Sequence, residues 1–173
     1  MHDLQKDSRE RFVFGKSGQT KLIVSGINPS TANQDEADQT ITRVSEFTRC
    51  RGIEGFVMLN LYAQGATSPT DLHLTRDTKL VKCNLRAIRY QVRGMRQPRV
   101  WAAWGNLIGG RTYLWDCLSE ILDKLSPFNP IWEYCGAPTK LGHPRHPSRL
   151  AYGENFSEFS VSEYLQVKRI VTK

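Results

Sequence analysis

The chain has 173 residues, 39% of them hydrophobic and 24% charged. That suits one compact domain rather than two independent cores. Its 24 lysines and arginines against 17 acids give a net charge of +7, which points to an anionic partner such as nucleic acid or, more plainly, to a solvated basic face. No run of about 18 apolar residues exists for a membrane span, and Met1-His2-Asp3-Leu4-Gln5-Lys6 lacks the apolar core of a secretory signal, so a cytoplasmic location is expected.

Residues 1–20 read as a polar lead-in and an edge hairpin, with Arg11-Phe12-Val13-Phe14 as a short strand and Gly15-Lys16-Ser17-Gly18 as its turn. Residues 21–173 read as a single domain. Lys21-Leu22-Ile23-Val24-Ser25 is a strand buried on both faces, stopped by Gly26 and Pro29. Asp38 is positioned to cap a helix through about Arg51, with Ile41, Val44 and Phe47 inward and Gly52 as its stop signal. A second buried strand covers Phe56 to Leu61. After a loop containing Ser68-Pro69-Thr70, Val81, Leu85, Ile88, Val92 and Met95 fall at steps of four and three, which predicts a helix from about Thr78 to Met95.

Arg99 to Trp104 is the third strand. A helix from about Leu107 to Leu125 is expected to turn Leu107, Leu114, Leu118, Ile121 and Leu125 inward, Ile131 to Cys135 to be a fourth strand, and Ser157 to about Lys168 a closing helix. Strands separated by helices imply βαβ units, hence an α/β fold of three αβα layers around a mostly parallel, four-stranded sheet. Cys50, Cys83, Cys117 and Cys135 include no Cys-x-x-Cys pair, so reduced thiols are expected and neither a metal nor a cofactor.

In parallel sheets ligands gather beyond the carboxyl ends of the strands. There the chain places Gly26-Ile27-Asn28-Pro29-Ser30, then Asn60, then Trp104-Gly105, and finally His146-Pro147-Ser148-Arg149-Leu150. Each alone is ordinary turn or capping chemistry. In this order the set resembles the uracil-DNA glycosylase superfamily: a Gly-x-Asp/Asn-Pro loop, an Asn on an apolar strand, a Trp-Gly pair and a His-Pro-Ser-x-Leu loop. Asn28 makes the first loop most similar to the mismatch-specific and thymine-DNA glycosylase branch, while Arg149 stands where the last loop usually has a second proline. Asn28-Pro29-Ser30-Thr31-Ala32, Asp38-Gln39-Thr40-Ile41 and Pro144-Arg145-His146-Pro147 also resemble a largely uncharacterised bacterial family, over about Lys21 to Leu150.

The resemblance implies a monofunctional DNA glycosylase, acting as a monomer on a flipped, modified or mismatched pyrimidine in DNA repair or antiviral defence. Asn28 would orient a water or favour the sugar cation, with Asp35 and Asp38 in reserve for water activation, and the N–H of His146 would meet the departing base anion. Gly26, Ile27, Pro29, Ser30 and Asn60 would form the base pocket. Ser30 leaves open a space that a bulky aromatic fills in the uracil-specific branch. Leu150 would wedge the duplex, with Arg145, Ser148 and Arg149 on phosphates.

Lys79, Lys82, Arg86, Arg89, Arg93 and Arg96 repeat at steps of three and four, a basic stripe beside the apolar one. It suits phosphate tracking, with Lys82, Arg86, Arg89 and Arg93 at its centre, or a merely solvated face. Two other function classes stay open: a non-catalytic reader of modified DNA, and an enzyme on free nucleosides or nucleotides.

Overall fold

Two unbroken apolar runs become adjacent strands at the middle of the sheet: β2 (Lys21–Gly26) pairs in parallel with β3 (Gly55–Asn60), and nearly all of both is buried. The computed structural model describes residues 13–16, 18, 21–29, 34–66 and 69–171. The other strands are β1 (Phe14–Lys16), β4 (Arg99–Ala102), β5 (Ile131–Cys135) and β6 (Phe156–Glu158), and the helices are α1 (Gln34–Arg49), α2 (Thr78–Val92), α3 (Tyr113–Leu125) and α4 (Val161–Val171).

The sheet has six strands in the order β1-β3-β2-β4-β5-β6. The four expected strands are its parallel centre, while β1 and β6 add antiparallel edges and make the sheet mixed. Phe14–Lys16 is an edge strand but not half of a hairpin with its sequence neighbour, because it pairs with β3. It therefore belongs to the same sheet as the rest of the domain.

Period-two alternation divides the side chains between two cores. Leu22, Val24, Phe56, Met58 and Trp101 face Val44 and Phe47 of α1. Ile23, Val57, Leu59, Val100 and Trp132 face residues of α2, α3 and α4. Helices thus cover both faces of the sheet.

Several boundaries differ from expectation. The first helix begins at Gln34, so Asp38 lies in its second turn and is not its cap. Acidic residues at 35, 36 and 38 suit the start of a helix electrostatically, which makes a single cap position ambiguous. Asp77 does cap α2, its Oδ1 accepting from the amides of Lys79 and Leu80 at 2.8 and 3.0 Å, but α2 stops at Val92, short of Gly94, whose φ is +79°.

The expected helix from Leu107 is two pieces. Gly105–Gly110 forms a 3-10 turn, and α3 starts only at Tyr113. Gly109 and Gly110 interrupt the helical path, so Leu107 loses its register with Leu114 and is 47% exposed. Ser157 lies in β6 rather than in the closing helix, because Phe156 packs edge-on against Trp101 at 5.1 Å between centroids.

Candidate active site at the strand ends

From β2 the chain goes outward to β3 and then back across to β4, so the direction of winding reverses between β2 and β4. Beyond the carboxyl ends of such a pair is where open α/β sheets generally take their ligands, in a crevice between diverging loops. The loops after β2 and β3 are stitched together there: the amides of Leu61, Tyr62 and Ala66 donate to the carbonyls of Gly26, Ile27 and Pro29. Asn28 is half-buried in this seam. Its Nδ2 donates to the Ala66 carbonyl at 3.2 Å and the Pro29 carbonyl at 3.1 Å, and Oδ1, the accepting end of the amide, has no partner among the described residues.

Asn60 ends β3 beside Gly26, with which it is in register. A Cβ on residue 26 would stand 2.8 Å from Asn60 Oδ1, so glycine lets the Asn60 amide keep this position. Asn60 is 8% exposed. Among the described residues its side-chain amide has no hydrogen-bond partner, although its main-chain carbonyl accepts Nδ2 of Asn84 at 2.8 Å.

The last loop reaches the same edge. Gly105, at φ +62°, donates its amide to the Pro144 carbonyl at 2.8 Å. A Cβ on Gly105 would lie 3.7 Å from the Cβ of His146. His146 caps the following 3-10 turn, Pro147–Arg149: its Nδ1 accepts the Ser148 amide at 3.3 Å and lies 2.8 Å from the Ser148 hydroxyl. Since Nδ1 accepts, the neutral ring carries its proton on Nε2. Desolvation, reinforced by the nearby Arg149 guanidinium, lowers the His146 pKa to about 4, so the ring is a neutral donor at pH 7.

Leu150 does not stand out as a wedge. It is 5% exposed, packs with Leu22, Val44 and Phe47, and its carbonyl accepts Nη1 of Arg43 at 2.8 Å. Withdrawing a buried leucine from a core costs about 1.5–3 kcal/mol, so an insertion role would require this loop to open at that cost. Ser148 and Arg149 are exposed, and Arg145 is half-buried with Nε donating to the Ala137 carbonyl at 2.7 Å. Gly26, Ile27 and Pro29, all buried, sit at and just beyond the end of β2, whereas Ser30 falls outside the described residues. Asp35 and Asp38 lie on α1, and their side chains are likewise outside the described set.

The basic helix is only partly at the crevice. Asn84 ties the first turns of α2 to the end of β3, and the helix then returns the chain to the other edge, where β4 begins. Lys79 and Lys82 are therefore near the site, and Arg89 and Arg93 recede from it. Two open clefts, of about 430 and 860 Å³, also lie at that far edge, around Gln97 and Asn129. Among the described residues no three His, Cys, Asp or Glu side chains group to hold a metal ion.

Two supports were absent from the expectations. Asn84 is 1% exposed on the otherwise apolar face of α2 and donates to the carbonyls of Asn60 and Leu61 while its own Oδ1 has no partner. Its place between Val81 and Ile88 on the buried face was visible in the helical spacing. Trp104 Nε1 donates to the Tyr164 hydroxyl at 3.1 Å, which meets Nδ1 of His143 at 2.7 Å. This link pins the start of the His146 loop to α4 and carries no local sequence signal.

A family model described as "Protein of unknown function (DUF1643)" matches residues 10–148, from the lead-in to the His146 loop. No curated protein and no solved structure matches the chain.

Proposed function

The chain belongs to the DUF1643 family, and from the chemistry of its strand-end crevice we propose that it is a DNA glycosylase. It hydrolyses the N-glycosidic bond of a pyrimidine nucleotide in a uracil-DNA glycosylase-like fold. The observation that carries this reading is the geometry of His146, whose Nδ1 accepts the Ser148 amide and so leaves Nε2–H as the donor of a ring held in the loop packed on Gly105. A neutral donor suits a departing base anion, because the hydrogen bond strengthens as negative charge develops and no charged ring must first be desolvated.

The other groups divide the remaining work. The C1′–N bond breaks with its electron pair going to the base, and a water oxygen joins C1′ while the water's proton passes through solvent to the released base anion. The carbonyl end of Asn28 accepts from that water and favours the cationic sugar, but an amide is no strong base, so turnover is slow. Asn60 offers a donor and an acceptor to the edge of the base. The burial of Leu150 favours a base that arrives unpaired over one expelled from a duplex.

The test is a panel of single-stranded and duplex DNAs bearing plain, mismatched, methylated, hydroxymethylated and glycosylated pyrimidines, incubated with the protein and then treated with alkali. Strand breakage at the pyrimidine, lost in Asn28→Ala and His146→Ala, is the expected result. Tight binding with no breakage on any member would support the reader of modified DNA instead. Release from free nucleosides alone would support the small-molecule enzyme.

A further inference from the structure

The exposed face of α2 carries charge that forms no ion pair among the described residues. Lys79, Lys82, Arg86, Arg89 and Arg93 are all exposed, at steps of three and four that align them over about 21 Å of helix. The ion pairs among the described residues lie elsewhere, at Arg49–Glu46, Arg76–Glu120 and Arg99–Glu133. The one acid between Arg76 and Arg99 is Asp77, and its carboxylate is occupied by the first amides of the helix.

An aromatic ring interrupts the stripe. Tyr90 lies four residues after Arg86 and three before Arg93, hence on the same face. It is 53% exposed. The Arg93 guanidinium sits 3.8 Å from its ring centroid, which covers part of the ring and holds it in place. Nothing in the packing of α2 calls for this ring, since the apolar side of the helix is already filled by Leu80, Val81, Ile88 and Val92.

We infer that this face binds a single-stranded nucleic acid, with the basic stripe on successive phosphates and Tyr90 stacking an unpaired base. Cations interleaved with an exposed aromatic are what a single strand offers partners for, because every base has a π-face when it is not paired. A duplex keeps its bases stacked on one another, and an acidic protein segment has no need of the ring. The near end of the stripe, at Lys79 and Lys82, adjoins the helical turns that Asn84 ties to Asn60, so the face leads a strand toward the crevice. The inference rests on the glycosylase reading only for that destination, and binding is measured without turnover.

The experiment is fluorescence anisotropy of a labelled mixed-sequence 15-nucleotide DNA, single-stranded or annealed, titrated with the full chain over a range of salt. The single strand is expected to bind more tightly. In the Arg86→Gln/Arg89→Gln/Arg93→Gln protein, the slope of log affinity against log salt should fall in magnitude by about 2, for three lost phosphate contacts. Tyr90→Ala should weaken the single strand about tenfold with the slope unchanged, and Tyr90→Phe should restore it. All four positions are exposed, and thermal melting confirms that the variants fold. An unchanged slope in the triple variant, equal affinity for duplex and single strand, or full competition by a polyglutamate of matched charge would overturn the proposal. Strand binding by the wild-type chain with no base release from any DNA would uphold this proposal without the glycosylase reading, and base release that persists in the triple variant and Tyr90→Ala with strand binding unchanged would do the reverse.

Discussion

Gly26 and Asn60 stand side by side in parallel register, and the space a Cβ on residue 26 would occupy is 2.8 Å from Asn60 Oδ1. The contact belongs to the ends of two buried strands, so neither backbone can shift without disturbing the sheet centre. Gly26→Ala is therefore expected to displace the Asn60 amide. The stability cost is that of modest overpacking, about 1–3 kcal/mol, while base release falls far more than the loss of folded protein explains. Chemical denaturation and a single-turnover rate on the same preparation check both halves.

His146 gives a pH signature with a definite sign. Its pKa in the folded protein, about 4, lies below the 6.5 of a free imidazole. Between those values the unfolded chain binds the extra proton, so the stabilising contribution is complete above about pH 6.5 and is lost as pH falls toward 4. Buried His143 is lowered as well, by desolvation and then by Lys168, and acts in the same direction. Urea denaturation from pH 7 to pH 4.5 should show stability falling, and less steeply in His146→Gln. Base release should keep its His146 contribution down to about pH 5.

Asn84 is expected to tolerate its near-isostere Asp poorly at neutral pH. An ionised carboxylate there cannot donate to the Asn60 and Leu61 carbonyls and is buried against them, a loss of about 3–5 kcal/mol. Protonation restores one donor, so the carboxyl's folded pKa is raised. The deficit relative to wild type should then shrink as pH falls from 7 toward 5, opposite in sign to the His146 effect. Parallel pH-dependent melts of the two proteins measure it.

The thiols should separate by burial. Cys117 and Cys135 are buried, and desolvation pushes their pKa values up to about 12 and 11, whereas Cys50 is exposed at the end of α1. A disulfide-exchange reagent at pH 8 should modify Cys50 quickly in the native protein and reach Cys117 and Cys135 only after denaturation.

Much of this was written in local pattern. The central strands announced themselves as apolar runs, α2 by its spacing, and Asn28, Asn60 and His146 by coming at or after strand ends. What escaped depends on distant partners. Leu150 sits in a polar loop and looks available, but the core cluster that includes Leu22, Val44 and Phe47 takes it in. β6 needed β5 and Trp101 to exist as a strand. The tautomer of His146 follows from the turn that folds Ser148 back onto its ring.

The most direct test of the central claim is single-turnover release of the base from whichever pyrimidine the DNA panel identifies, with wild-type protein, His146→Ala and Asn28→Ala at saturating enzyme. Removing one donor to a developing anion costs roughly 10²–10³ in rate. A loss of that size is expected for His146→Ala and a large loss for Asn28→Ala, with DNA affinity little changed in both. Wild-type release that persists undiminished in His146→Ala would contradict that claim.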